Sequence, residues 1–193
     1  ATDKAGQSSF NSFVLNVFSS RQLGIDNKND NLKGSVSNDL LDGKKGADKM
    51  AGGLGDDQYI ADNSKDKIIE KASEGNDTIL SSASFKLPNN VENLYLTGGN
   101  SIGARGNSGN NRLFGNDFNN TLDGGLGNDT LYGGLGNDTF VIGSKPSASN
   151  TDVILDFYHN EDKIQLNHKL FNFSGNSLNE RLFAVGQDMI SSP

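Results

Sequence analysis

Apolar side chains along this chain follow neither the 3.6-residue spacing of a helix nor the alternation of a long strand. Between Ile25 and Val141 they return singly, once in nine residues. Leu32, Leu41, Met50, Tyr59 and Ile68 form one series, and Leu113, Leu122, Leu131 and Phe140 a second. Two places before each stands Asp or Asn: Asp30, Asp39, Asp48, Asp57 and Asp66, then Asn111, Asn120, Asp129 and Asp138. Two columns held in register define an internal nonapeptide repeat, with the acid or amide at position six and the apolar residue at position eight. The fullest copies are Gly52 to Ile60 (GGLGDDQYI), Gly124 to Tyr132 (GGLGNDTLY) and Gly133 to Val141 (GGLGNDTFV).

Glycine at positions one, two and four lets six residues curl tightly, because it accepts positive φ. The closing triplet then alternates outward, inward, outward as a short strand. Two units make one coil of a right-handed parallel β-roll, an all-β solenoid with the position-eight side chains stacked inside. Its turns form two rails. Coils about 4.8 Å apart set Asp30 over Asp48, Asp39 over Asp57, Asp48 over Asp66, Asn111 over Asp129 and Asn120 over Asp138. Carboxylates stacked so closely repel unless a cation lies between them. A donor set of carboxylates and turn carbonyls selects a hard cation, and the lack of a rigid octahedral cage favours Ca²⁺ over Mg²⁺.

Composition sharpens this picture. Gly, Asn and Asp supply 69 of the 193 residues, and Asp outnumbers Glu 19 to 5, so the carboxylates sit on short stems suited to turns. A net charge of −7 argues against nucleic acid as a partner. The absence of cysteine removes disulfide, zinc-thiolate and thiol chemistry. No run of 18 apolar residues exists, so no membrane insertion is expected. His159 and His168 are the only histidines and make no H-E-x-x-H, and no serine lies in G-x-S-x-G. The nine-residue period accounts for the paired carboxylates without acid–base catalysis, and no enzyme is expected. The chain opens at Ala1 without a leader pattern and reads as a piece of a longer protein.

The pattern G-G-x-G-x-D-x-U-x, met throughout Gly124 to Val141, resembles the RTX (repeats-in-toxin) family. Val91 to Gly98 (VENLYLTG) with Gly106-Asn107 looks like the linker strands that precede such arrays. Asp152 to Phe157 (DVILDF) with Glu161 to Ile164 (EDKI) resembles the segment after the last repeat. The resemblance covers Ile25 to Leu170. It implies several Ca²⁺ ions, each between two stacked turns, held by position-six carboxylates of both. Backbone carbonyls complete the set, from positions one and three of one turn and two and four of the other.

Carried onto this chain, the implied ligands begin with Asp30 and Asp39, then Gly43, Lys45, Gly46 and Asp48. The next turn offers Gly52, Gly53, Leu54, Gly55 and Asp57. The second array offers Gly106, Gly109 and Asn111, then Gly115 and Asn120. Two full turns follow, Gly124, Gly125, Leu126, Gly127 and Asp129, then Gly133, Gly134, Leu135, Gly136 and Asp138. Asp66-Lys67-Ile68-Ile69-Glu70, then Asp77, parallels Asp152-Val153-Ile154-Leu155-Asp156, then Asp162. Asp66 and Asp152 are read as the last carboxylate of each roll. Lys44 and Lys45 bring positive charge into one turn and should weaken it. Ser37 and Phe118 replace Gly at position four, while Asn111 and Asn120 are neutral ligands, so the upper half of the second roll is expected to bind calcium poorly or not at all.

Five segments are expected. Residues 1–24 form an amphipathic helix or cap, with Phe10, Phe13, Val14, Val17 and Phe18 on one face. Residues 25–69 are the first array, 70–105 linker strands, 106–141 the second array and 142–193 a C-terminal capping segment. The whole is expected to be a Ca²⁺-dependent folding and secretion module of an exported protein, extracellular or on the cell surface. A type I secretion apparatus is a partner implied by the resemblance. The alternative is an adhesin module that binds a glycan or host surface, for which aligned, exposed Tyr95, Phe114 and Tyr132 would speak.

Overall fold

A computed structural model describes residues 18–144 and 147–167. The closing triplet of each nonapeptide is extended. In the first array this gives β2 (Asn31–Lys33), β3 (Asp39–Asp42), β4 (Lys49–Ala51), β5 (Gln58–Ala61) and β6 (Lys67–Ile68), preceded by β1 (Ser20–Leu23). The segment between the arrays supplies β7 (Thr78–Ser81), β8 (Phe85–Lys86), β9 (Asn93–Leu96) and β10 (Gly103–Arg105). The second array forms β11 (Arg112–Phe114), β12 (Thr121–Asp123), β13 (Thr130–Tyr132) and β14 (Thr139–Ile142), followed by β15 (Val153–Ile154) and β16 (Lys163–Leu166).

Odd-numbered strands pair in chain order into one eight-stranded parallel sheet. Even-numbered strands make the other wall in two pieces, β2-β4-β6 and β8-β10-β12-β14-β16. The two arrays therefore belong to one β-solenoid. Within each array the coil advances by two repeats, pairing Leu41 with Tyr59, Met50 with Ile68, Leu113 with Leu131 and Leu122 with Phe140. Between the arrays the period lapses but the stack does not, because Ile79 pairs with both Tyr59 and Leu94, and Leu94 with Leu113. Inward-pointing apolar side chains at one per strand are enough to carry the solenoid through coils of unequal length.

The expected core is the observed one. Every position-eight residue is buried, and Leu41, Met50, Tyr59, Leu113, Leu122, Leu131 and Phe140 are fully so. The non-repeat coils add Ile79, Phe85, Leu87, Val91, Leu94, Leu96 and Ala104 to the same cluster. Position three faces water, as Leu54, Leu126 and Leu135 show.

Glycine serves two needs. At positions two and four of the full turns φ is positive, +98° at Gly125 and +113° at Gly127, so a side chain there would strain the backbone. Position one differs from the expectation, because its glycines have ordinary φ and are needed for room. A methyl on Gly43 would lie 2.5 Å from Asp48 Oδ2, and Gly52, Gly124 and Gly133 face Asp57, Asp129 and Asp138 in the same way.

At the ends, Ser20–Leu23 pairs with β3, so the solenoid begins before the first repeat. Of the amphipathic helix or cap expected over residues 1–24, with Phe10 to Phe18 on one face, 1–17 lie outside the described residues and Ser20–Leu23 is a strand rather than helix; residues 168–193 of the capping segment also lie outside them. Lys163–Leu166 pairs with β14, and the Phe157 ring packs 6.2 Å from that of Phe140, covering the end of the stack. In the Ca²⁺-saturated chain, Leu113→Ala should lower unfolding free energy by about 2–5 kcal/mol. Leu126→Ala, on the outside of a turn, should change it by less than about 0.5 kcal/mol. Denaturant titration checks both.

Candidate metal centres

Along each rail the position-six residues are tied together by backbone. The amide N–H of Asp39 donates to Asp57 Oδ1 (2.7 Å), that of Asp57 to Asp77 Oδ1 (2.8 Å), and that of Asp77 to Glu92 Oε2 (2.9 Å). Further along the same edge, Asn111 donates to Asp129 (2.7 Å) and Asp129 to Asp152 (3.1 Å). On the opposite edge, Asp30 donates to Asp48 (2.7 Å) and Asp48 to Asp66 (2.9 Å). Asn120 donates to Asp138 (2.7 Å) and Asp138 to Asp162 (2.9 Å). All five expected stackings are thus present. The ladder continues onto Asp77, Glu92 and Asp162, which the nine-residue count does not reach.

One oxygen of each carboxylate is therefore held by the neighbouring coil, and the fate of the other separates the turns. Among the described residues, six buried carboxylate oxygens accept no hydrogen bond: Asp48 Oδ2, Asp57 Oδ2, Glu70 Oε2, Asp77 Oδ2, Asp129 Oδ2 and Asp138 Oδ2. Burial, reinforced by neighbouring carboxylates, raises the acids of Asp57, Asp129 and Asp138 to about 6, Asp77 to about 7 and Glu70 to about 8. Burial also pushes Asp66 and Asp152 upward. Buried carboxylate oxygens with a free lone pair, each beside a Gly-rich turn, are the donors a hard cation needs.

Other turns are already satisfied. Burial would raise Asp39, but hydrogen bonds from Ser20, Ser35 and Ser19 outweigh it and lower its pKa. The second oxygens of Asp30, Asp66 and Asp162 accept the amides of Ile25 (2.6 Å), Asn63 (3.2 Å) and Tyr158 (2.8 Å). In the Asn turns the side-chain amide groups donate to backbone carbonyls. Asn111 Nδ2 donates to Val91 O (3.3 Å), Asn107 Nδ2 to Pro88 O (2.7 Å) and Val91 O (2.8 Å), and Asn120 Nδ2 to Ile102 O (3.0 Å). Carbonyls that would face a cation face N–H donors there instead. Lys44, the cation expected to weaken its turn, is in the left-handed region at φ 61° and directs its ammonium to Asp42 at 2.6 Å.

A second ladder runs through position five, where Asp56 Oδ1 accepts the amide of Asn76 at 2.8 Å. Position-five side chains accept backbone amides from the next coil, Asn38 from Asp56 (2.8 Å), Asn110 from Asn128 (2.8 Å) and Asn119 from Asn137 (2.9 Å). It runs opposite in sense to the position-six ladder, so each turn is clamped from both sides. Asp77 and Asp162 had a signal in the sequence, in the parallel between the two post-array segments. Glu92 had none, since only its pairing places it on the rail.

Residues 26–59 and 105–140 match the RTX calcium-binding nonapeptide repeat, in four copies. The chain carries RTX calcium-binding repeats. RTX nonapeptide repeats bind Ca²⁺, and here the buried carboxylate oxygens without hydrogen bonds lie in the matched repeats and in the coil that follows the first set. One relative is endo-1,3-1,4-beta-glycanase ExsH of Rhizobium meliloti (strain 1021), 40% identical over 85 residues, 44% of this chain and 18% of that protein. The chain thus spans under a fifth of that relative's length. No solved structure matches it.

These pKa shifts set a pH dependence. Carboxylates whose folded values are raised bind more protons in the fold than in the unfolded chain, so without Ca²⁺ folding is favoured below the ordinary value of 3.8 for Asp. That contribution is lost as pH rises through about 6 to 8. In chelator, acidification from pH 8 toward 5 should increase β-structure by circular dichroism. With Ca²⁺, the same change should raise the Ca²⁺ midpoint, since binding must displace those protons.

Proposed function

We propose that this chain is a module that folds when Ca²⁺ binds, serving as a folding and secretion scaffold within a larger exported protein. The observation that carries the reading is the set of buried carboxylate oxygens without donors, stacked along two edges of a solenoid. Asp48, Asp57, Asp77, Asp129 and Asp138 would hold the ions together with carbonyls of the turns at Gly43 to Gly46, Gly52 to Gly55, Gly124 to Gly127 and Gly133 to Gly136. Asp66, Asp152 and Asp162 close the ladders. Bound Ca²⁺ supplies the positive charge that lets adjacent coils approach. Asn111 and Asn120 contribute amide clamps in place of ions.

Without the ion, glycine entropy and carboxylate repulsion oppose the fold. Ca²⁺ therefore acts as a folding ligand, and extracellular modules typically bind it with roughly 0.1–1 mM affinity. A chain that stays unfolded at cytosolic Ca²⁺ and folds outside suits passage through a narrow export channel, which supports a type I secretion apparatus as partner. No reaction is assigned to the chain under this reading.

The relative's glycanase name favours a second reading, a surface that holds a glycan. Tyr95, Phe114 and Tyr132 are aligned across β9, β11 and β13, with Tyr95 and Tyr132 exposed. The Tyr95 and Phe114 rings, however, stack face to face at 4.3 Å and 3°, with Phe114 and Tyr132 tilted at 6.0 Å. Ring faces spent on one another leave mainly edges to solvent, a cross-strand ladder rather than a sugar platform. Retention of the folded chain on a β-1,3-1,4-glucan, lost in Tyr132→Ala, is the outcome that would carry this second reading.

Addition of millimolar Ca²⁺ should produce a cooperative coil-to-β change in circular dichroism, reversed by chelator and not reproduced by Mg²⁺. Identical spectra with and without chelator would sink the folding role. Asp57→Ala and Asp129→Ala should each raise the Ca²⁺ midpoint about tenfold, the scale of losing a contact to a charged group. Asn111→Ala should move it less.

A further inference from the structure

The loop between β6 and β7 brings a carboxylate from outside the repeat columns into the first array. Glu70 follows Asp66 by four residues and lies over Gly52, whose amide donates to Glu70 Oε1 at 3.1 Å. Tyr59, a fully buried position-eight residue, accepts the same amide at 2.7 Å and donates its hydroxyl to Glu70 Oε1. Glu70 is thereby fixed by two donors on one oxygen. Its other oxygen, Oε2, has no donor, and neither does Asp57 Oδ2 or Asp77 Oδ2. Glu70 is 7% exposed, Asp57 2% and Asp77 0%.

Asp57, Glu70 and Asp77 each place a carboxylate oxygen within 4.8 Å of the others. Ca²⁺ binds oxygen at about 2.3–2.6 Å, so two of its ligand atoms stand at most about 5 Å apart. The three oxygens fit around one such ion. Three buried charges this close cannot persist without a counter-charge.

We propose that Asp57, Glu70 and Asp77 form a three-carboxylate Ca²⁺ site that closes the first array, with Glu70 as a ligand from outside the repeats and Tyr59 as its positioning residue. The proposal rests on the Ca²⁺-dependent folding read above and adds a site with one more negative ligand than a turn pair supplies. Ligand charge count tunes Ca²⁺ affinity, so this site fills first in a titration. The second array ends differently. Asp156 holds the corresponding place over Gly133, but its two oxygens accept the amides of Gly133 (2.8 Å) and Gly134 (2.7 Å). It caps backbone and leaves no oxygen for an ion.

Tyr59 provides the readout. Tb³⁺ replaces Ca²⁺ at oxygen sites and emits when a tyrosine beside it is excited, and Tyr95, Tyr132 and Tyr158 are exposed and make no contact with Asp57, Glu70 or Asp77, whereas Tyr59 hydrogen-bonds Glu70 directly. In the whole chain, the earliest phase of a Tb³⁺ titration should show tyrosine-sensitised emission that Ca²⁺ displaces. Tyr59→Phe should lose that emission while Ca²⁺ still induces β-structure. Glu70→Gln, which keeps the shape and removes the charge, should raise the midpoint of this phase by about tenfold or more, and Asp156→Asn should leave it in place. A wild-type midpoint in Glu70→Gln, as expected if a shared proton neutralises the cluster, overturns the site, as does early emission that survives Tyr59→Phe. If Glu70→Gln gains no β-structure at saturating Ca²⁺, the Tyr59→Phe arm decides. Loss of Ca²⁺-induced folding in the unmodified chain would strike the underlying reading instead.

Discussion

Carboxylates buried in turns stacked at strand spacing must each find a positive partner, and the arrangement of this roll answers to that need. The backbone meets half of it. From Asp48 onward each position-six acid receives an amide from the coil before it, so the ladder that repeats the fold also fixes the direction of these carboxylates. What remains is one oxygen per acid, turned toward the position-one glycine of its own turn and shielded from water. A side chain at that glycine would occupy the same space, which is why position one is bare although its φ is ordinary.

The remaining oxygens are served in three ways. At Asp30, Asp39, Asp66 and Asp162, toward the array ends, serine hydroxyls or turn amides suffice. In the coils around Asn111 and Asn120, neutral amides donate to the carbonyls beneath and remove the charge altogether. In the turns of Asp48, Asp57, Asp129 and Asp138 no donor among the described residues serves them, and all four lie within the matched calcium-binding repeats. The solenoid is thus uneven along its length, with buried carboxylate oxygens that accept no hydrogen bond on either side of a stretch held by amides. A small apolar core, one side chain per strand, tolerates this because the rails share the work of joining coils.

Much of this was legible in the sequence. The position-eight column named the core residue by residue, and position six named the stacked acids, because a nine-residue period converts directly into spatial stacking when each repeat is half a coil. Position five keeps Asn throughout the second array but not the first, and its role as an acceptor for the next coil emerges only from the paired backbones. The nine-residue count does not reach Asp77, Glu92 or Asp162, because the coils before them differ in length from the repeat. The parallel between the post-array segments points to Asp77 and Asp162, and hydrogen-bond register alone places Glu92 on the rail.

Sequence alone determined the solenoid, its core and the preference for a hard cation, since each depends on local turn chemistry repeated at fixed spacing. The tertiary structure decided that the two arrays form one stack and that Lys44 turns to Asp42. It also decided which acids keep an unshared oxygen and that Glu70 and Tyr59 meet at Gly52. These outcomes depend on where unequal loops return the chain to the sheet, and that is set by closure of the whole ladder rather than by any nonapeptide within it.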